Sequence, residues 1–247
     1  MQFKVTPRVG PRYWVAISIA SLCGTNLGDI VPDALKMSAG AGLIMLTTLF
    51  ALLALAERAT VQGSEAFYWV AILIVRAAAT NIADYSISHA NFTYAEVSAA
   101  LALILACLIL LNRKSGPKPT SSALPPADGL YWFTMLTAGS LGTVIADGIG
   151  HSFRSVQTGV PLSASMATVA LFLILGIRAR TAWVSTTSYW ATVVVIRWWG
   201  TNVGDILAFL LSLLLSAAIT GLALAILLLI WRAQRAACTD KARRVEV

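Results

Sequence analysis

The sequence predicts an all-α polytopic membrane protein: eight transmembrane helices in four parallel two-helix repeats, with both termini cytoplasmic. Three observations carry this. Of 247 residues, 58% are hydrophobic and only 12% charged, about half the charged share of a soluble domain. Mean hydropathy is +0.78, more apolar surface than a soluble core of this size can hide, so the remainder must face lipid. One polar frame recurs four times along the chain, and the basic residues fall almost wholly on one side of the predicted spans.

The repeats begin at Tyr13-Trp14, Tyr68-Trp69, Tyr131-Trp132 and Tyr189-Trp190. Sixteen residues after each tyrosine stands Asp29, Asp84, Asp147 or Asp205. The residues before each aspartate agree as well: Gly24-Thr25-Asn26, Ala79-Thr80-Asn81, Gly142-Thr143-Val144 and Gly200-Thr201-Asn202. Only the third copy departs, with Val144 in place of asparagine. The apolar run after Lys4, Arg8 and Arg12 has the look of a secretory signal. Its recurrence three more times inside the chain marks it as a structural element.

After each motif comes a turn-like stretch and a second apolar run, over 38–56, 95–111, 162–177 and 207–231. With the motif helices this makes eight spans of bilayer length. No turn residues separate Asp205 from the last run. The chain divides into repeats over 1–62, 63–112, 130–180 and 181–231, a Pro- and Ser-rich cytoplasmic linker over 113–129, and a cytoplasmic tail over 232–247.

Orientation follows from the basic residues. With the N-terminus inside, Lys4, Arg8, Arg12, Arg58, Arg113, Lys114, Lys118, Arg178, Arg180, Arg232, Arg235, Lys241, Arg243 and Arg244 are all cytoplasmic. Only Lys36 and Arg154 fall outside, and Arg76 and Arg197 lie within spans. This is the positive-inside asymmetry, so the net charge of +7 reports topology rather than nucleic-acid binding. The Tyr-Trp pairs then belong at the inner membrane interface. Glu57 and Glu65 at inner ends, and Glu96 at an outer start, read as solvated charges. Cys23, Cys107 and Cys238 have no metal or disulfide spacing and read as small buried hydrophobes.

The pattern resembles a bacterial family of membrane proteins of unknown function, with four tandem repeats that each carry two transmembrane regions and a characteristic tryptophan, here Trp14, Trp69, Trp132 and Trp190. The resemblance implies a multi-pass protein of the bacterial inner membrane and brings no activity with it.

Function is therefore read from the residues. Two helices per repeat keep every copy in one orientation, so all four aspartates lie at one depth, about 24 Å from the tyrosines, near the outer face. Thr and Asp four apart, and Asn and Asp three apart, share a helical face. Thr25, Asn26 and Asp29, their counterparts Thr80, Asn81, Asp84 and Thr201, Asn202, Asp205, and Thr143 with Asp147 should point away from lipid, where ionisable side chains mark functional paths. The four motif helices are expected to gather around one axis. Arg76 and Arg197 stand eight residues before their aspartates, where the other copies have Ser21 and Gly139. Each should reach a partner on a neighbouring helix.

Four Asp against two Arg sum to −2, which one divalent cation or two protons would balance. The oxygen-rich ligand set suits hard ions such as Mg²⁺ or Mn²⁺. His89 and His151 follow two of the aspartates and are candidate metal ligands, proton-relay groups or pH sensors. A bis-His haem site has no supporting motif. The preferred reading is a transporter of small cations, with Asp29, Asp84, Asp147 and Asp205 binding the ion. Thr and Asn oxygens assist, and Arg76 and Arg197 act as barrier or exchangeable counter-ion. A membrane redox or enzyme module, for which no HExxH, serine elbow, CxxCH or nucleotide loop is present, and a structural membrane scaffold are the alternatives. In a scaffold the polar motif serves as interhelical glue.

Overall fold

The computed structural model describes residues 3–61, 63–88, 92–115, 125–180 and 185–245. Among these residues the fold is all-helical, with eight helices and no strand: α1 (Pro11–Asp33), α2 (Ala39–Ala59), α3 (Glu65–Ser88), α4 (Tyr94–Ser115), α5 (Gly129–His151), α6 (Val156–Arg180), α7 (Thr186–Leu211) and α8 (Leu213–Val245). All eight are long and apolar enough to cross a membrane. Part of the predicted linker, and His89, lie outside the described residues.

Local chemistry sets the helix starts. Pro11 opens α1, where its missing N–H costs nothing. Ser38 caps α2 through the Ala41 amide, and Asp128 caps α5 through Tyr131. Thr93 and Glu96 satisfy one another's amides at the head of α4, and Ser185 with Ser188 forms a capping box on α7. The join between α7 and α8, where the sequence shows no turn residues, is the single residue Ser212, whose φ of 79° breaks the helix.

The helices form two shells. In α1, α3, α5 and α7 between 39% and 72% of the spanning window is buried, against 17–22% in the even-numbered helices. The odd helices close a ring in which α1 packs on α3, α3 on α5, α5 on α7, and α7 on α1. Each even helix leans mainly on the odd helix that follows it: α2 on α3, α4 on α5, α6 on α7, and α8 back on α1. Each outer helix thus covers mainly the inner helix of the next copy. The outer shell presents Ile44, Leu103, Phe172 and Leu222 outward, as a lipid-facing surface requires.

Close crossings in the ring need small residues. A Cβ on Gly24 would lie 2.5 Å from Arg76 Cγ, and one on Gly142 2.5 Å from Arg197 Cβ. The same crossing recurs between Gly200 and Ser21, and between Ala79 and Gly139. Each motif's small residue thus faces the neighbouring helix's residue eight before its aspartate. Copy two tolerates Ala79 because Gly139 opposite has no side chain.

Three expectations are corrected, for the Tyr-Trp pairs, Glu57 and Cys107. The Tyr-Trp pairs do not face a membrane interface. All eight rings are buried, with Trp14, the most exposed of them, at 9%. They are turned inward because the tyrosine hydroxyls satisfy one another there. Glu57 is likewise buried rather than solvated. Its carboxylate accepts the Lys4 amide at 2.7 Å, while the Lys4 ammonium caps the end of α2 by donating to the carbonyls of Glu57, Arg58 and Thr60. Of the cysteines, Cys23 is buried as expected and Cys107 is exposed on the outer shell.

Candidate functional site, a polar column on the ring axis

Side chains from all four odd helices meet on the ring axis in stacked levels. At one end the four tyrosine hydroxyls form a closed square. Oxygens of Tyr13 and Tyr68 are 3.0 Å apart, Tyr68 and Tyr131 2.6 Å, Tyr131 and Tyr189 3.0 Å, and Tyr189 and Tyr13 2.5 Å. In such a ring each hydroxyl donates one bond and accepts one, so four phenols are satisfied without water. The tryptophans form a collar around the square. Each stands edge-on to its own tyrosine, and Trp69, Trp132, Trp190 and Trp14 also pack on Tyr13, Tyr68, Tyr131 and Tyr189 of the preceding copy. Phe3 packs on Trp132 from the N-terminal segment.

The next level is Arg197, 0% exposed, within electrostatic reach of all four tyrosines. Among the described residues its only hydrogen bond is from Nη2 to Met135 Sδ at 3.5 Å, and its Nε and Nη1 have no partner. Above it Arg76, also 0% exposed, is the hub of a threonine ring. Its Nη1 donates to Thr80 at 3.0 Å and Thr143 at 2.7 Å, and its Nη2 to Thr25 and Thr201 at 2.6 Å each. One residue of each motif thus converges on one guanidinium. Tyrosines meet at one level and threonines twelve residues later meet at another, which requires the four odd helices to run in the same direction.

One helical turn further lie the aspartates. Asp29, Asp147 and Asp205 are half-buried and Asp84 is exposed. Asp29, Asp205 and Asp147 lie within electrostatic reach of Arg76 and of other members of the acid cluster. Neither arginine is hydrogen-bonded to any of them. Among the described residues no group of three or more His, Cys, Asp or Glu is placed to hold a metal ion. The four acids thus lie at one end of the column without converging on one point. His151 is exposed. Its Nδ1 lies 2.8 Å from the Asp147 carbonyl and its ring stacks on Tyr94, which places it as a helix-end group. A groove of about 340 Å³ between the start of α6 and the end of α7 runs to Asp205, lined mostly by apolar groups including Val160, Pro161, Phe209 and Leu210.

The asparagines leave the column. Asn26 donates to Ser216 on α8 at 2.6 Å, and Asn202 to Ser163 on α6 at 3.0 Å. Asn81 donates to the Gly28 and Ala77 carbonyls, with Gly42 of α2 beside its oxygen. Val144 takes the same position against Val97 of α4. Successive residues point 100° apart around a helix, so with threonine aimed at the axis its neighbour aims off it, toward an outer helix for Asn26 and Asn202 and into the crossing with α1 for Asn81.

Arg76, the four threonines and the acids thus share one column, as their spacing implies, whereas the seat of Arg197, the tyrosine square and the partner serines Ser163 and Ser216 were not expected from the motif. The square had a signal, since four identical residues at one register of four parallel helices must lie at one depth. The serines had none. No protein-family model, curated protein or solved structure matches the chain, so its function is argued from this geometry.

Proposed function

We propose that the chain is a membrane transporter of a small cation, built from four parallel two-helix repeats with the tyrosine end toward the cytoplasm. In this reading the cation binds at the mouth formed by Asp29, Asp84, Asp147 and Asp205, and Arg76 is the counter-ion it displaces. The supporting observation is the polarity of the column: four carboxylates without an arginine hydrogen bond stand at an accessible end. The opposite end is shut by the tyrosine square and its tryptophan collar. Between them two guanidinium charges bar a cation from passing along a static axis. Such an arrangement suits alternating access better than an open pore.

The acids interact with Arg76 across one helical turn rather than through contact, so a cation entering the mouth competes with it for the same field. Binding would loosen the Arg76–threonine hub, where all four inner helices share hydrogen bonds through one guanidinium. That couples occupancy to helix movement, which transport requires. The glue reading applies to Asn26, Asn81 and Asn202, whose side chains lie between helices, and not to the aspartates.

The test is flux in proteoliposomes with Mn²⁺, Mg²⁺, Ca²⁺, Zn²⁺, Na⁺ and H⁺. Movement of one of these is expected in wild type, and its loss in Asp84→Asn and Asp205→Asn with the fold retained. Undiminished flux in both variants, or no flux of any ion from folded protein, overturns the proposal.

A further inference from the structure

The column carries an unbalanced charge that cation binding does not address. Arg197 is fully buried, and its surroundings are four phenols, a thioether and the second guanidinium. A guanidinium stays protonated in proteins, and a buried ion without a counter-ion is strongly disfavoured. Arg76 has the acid cluster within reach. For Arg197 the neighbours at hand are neutral phenols and Arg76, of like sign.

Hydrogen-bond accounting gives a second, independent sign. Among the described residues the buried polar atoms without a partner are two oxygens, Ser21 Oγ and Asn26 Oδ1, and six nitrogens: Arg197 Nε and Nη1, Arg76 Nε, and the indole nitrogens of Trp69, Trp132 and Trp190. The six nitrogens, which outnumber the oxygens three to one, are donors only. Arg197 alone supplies three N–H groups with no acceptor. The tyrosine square consumes its own four hydrogens and offers only spare lone pairs. The tyrosine half of the column thus has surplus donors and surplus positive charge, which is the environment an anion selects.

We propose that Arg197 holds a small monovalent anion of halide size on the ring axis, between the tyrosine square and Arg76, with Nε–H and Nη1–H as its donors. A halide accepts several N–H bonds without needing a donor in return, so it suits a site where the four tyrosine hydrogens are already used. It neutralises Arg197 and leaves Arg76 as the one positive charge the aspartates feel. This site does not depend on the transport reading, and its test involves no flux.

The experiment is thermal unfolding of the purified full chain at constant ionic strength, with sodium chloride or bromide replacing sodium gluconate. A saturable rise of several degrees in Tm with either halide is expected in wild type, and its absence in Arg197→Met. In gluconate the variant should be at least as stable as wild type, because a neutral side chain removes the unpaired charge. Should Arg197→Met fail to fold, bromide-soaked wild-type crystals decide by anomalous scattering, with a peak expected beside Arg197. Equal stability in halide and gluconate, a halide effect that survives in Arg197→Met, or a water without bromide at that position each overturns the proposal.

Discussion

Arg76 and Arg197 occupy equivalent positions on opposite helices of the inner ring, yet their guanidinium groups lie in opposite halves of the column. Arg76 reaches toward the acids and donates to four threonines. Arg197 turns toward the tyrosines and finds one thioether. The threonine ring explains the difference. Its four hydroxyls occupy the two terminal nitrogens of one guanidinium, and a second would meet like-charge repulsion there. An internal duplication that supplies two arginines to a single hub must send one elsewhere. Repeated sequence therefore does not impose repeated structure where copies compete for a shared axis.

The strongest way to break this contrast is to remove each arginine in turn. Arg76→Met deprives four threonines of their donor and the acids of their cation, and should cost about 3–5 kcal/mol, the usual result of removing one partner from a buried polar network. Arg197→Met in halide-free buffer should be neutral or stabilising. Chemical denaturation followed by tryptophan fluorescence compares them. Equal losses would mean that the two environments are energetically alike.

The seats of the two arginines give the next largest effect. A methyl group on Gly142 would meet Arg197 Cβ and the backbone of α7 within 3.0 Å, whereas on Gly24 it meets mainly the Arg76 side chain. Overpacking of this kind costs about 1–3 kcal/mol. Gly142→Ala should fall at the upper end and Gly24→Ala at the lower, measured by the same unfolding curves. The reverse order would place the rigid crossing on the Arg76 side.

Breaking the square is milder. Tyr189→Phe removes two of its four hydrogen bonds and should cost about 1–2 kcal/mol. It should also raise labelling of a cysteine placed among the collar residues, if this end is a closed gate. Unchanged labelling would make the square purely structural. The smallest effect belongs to the asparagines. Asn202→Val copies the third motif and should cost about 0.6 kcal/mol, typical of an interhelical hydrogen bond in a membrane protein, with flux unaltered. Lost flux in folded Asn202→Val would return the asparagines to the binding site.

Much of this was legible in the chain. Eight helices form as the four frames require, because apolar runs of bilayer length have few alternatives, but residues 207–211, placed in the last span, belong to α7, and α8 continues to Val245. Convergence of Thr25, Thr80, Thr143 and Thr201 followed from parallel copies with one polar residue at one register. The direction of the asparagines was less legible, since the three-residue spacing to aspartate leaves them within reach of the same face. Only the position of the axis decides which of two adjacent residues it receives. Glu57 resembled any charge at a span end until the N-terminal segment folded over it.

By itself the sequence determined the number of helices, their common direction within the motif set, and which residue types lie at each depth. These depend on spacing and hydrophobicity along one dimension. The tertiary structure alone decided that each outer helix covers the neighbouring copy, that four tyrosines close a square, and that Arg76 and Arg197 part company. Those outcomes depend on how many hydrogen-bond acceptors and how much charge a single axis can hold, and such competition exists only after the copies meet.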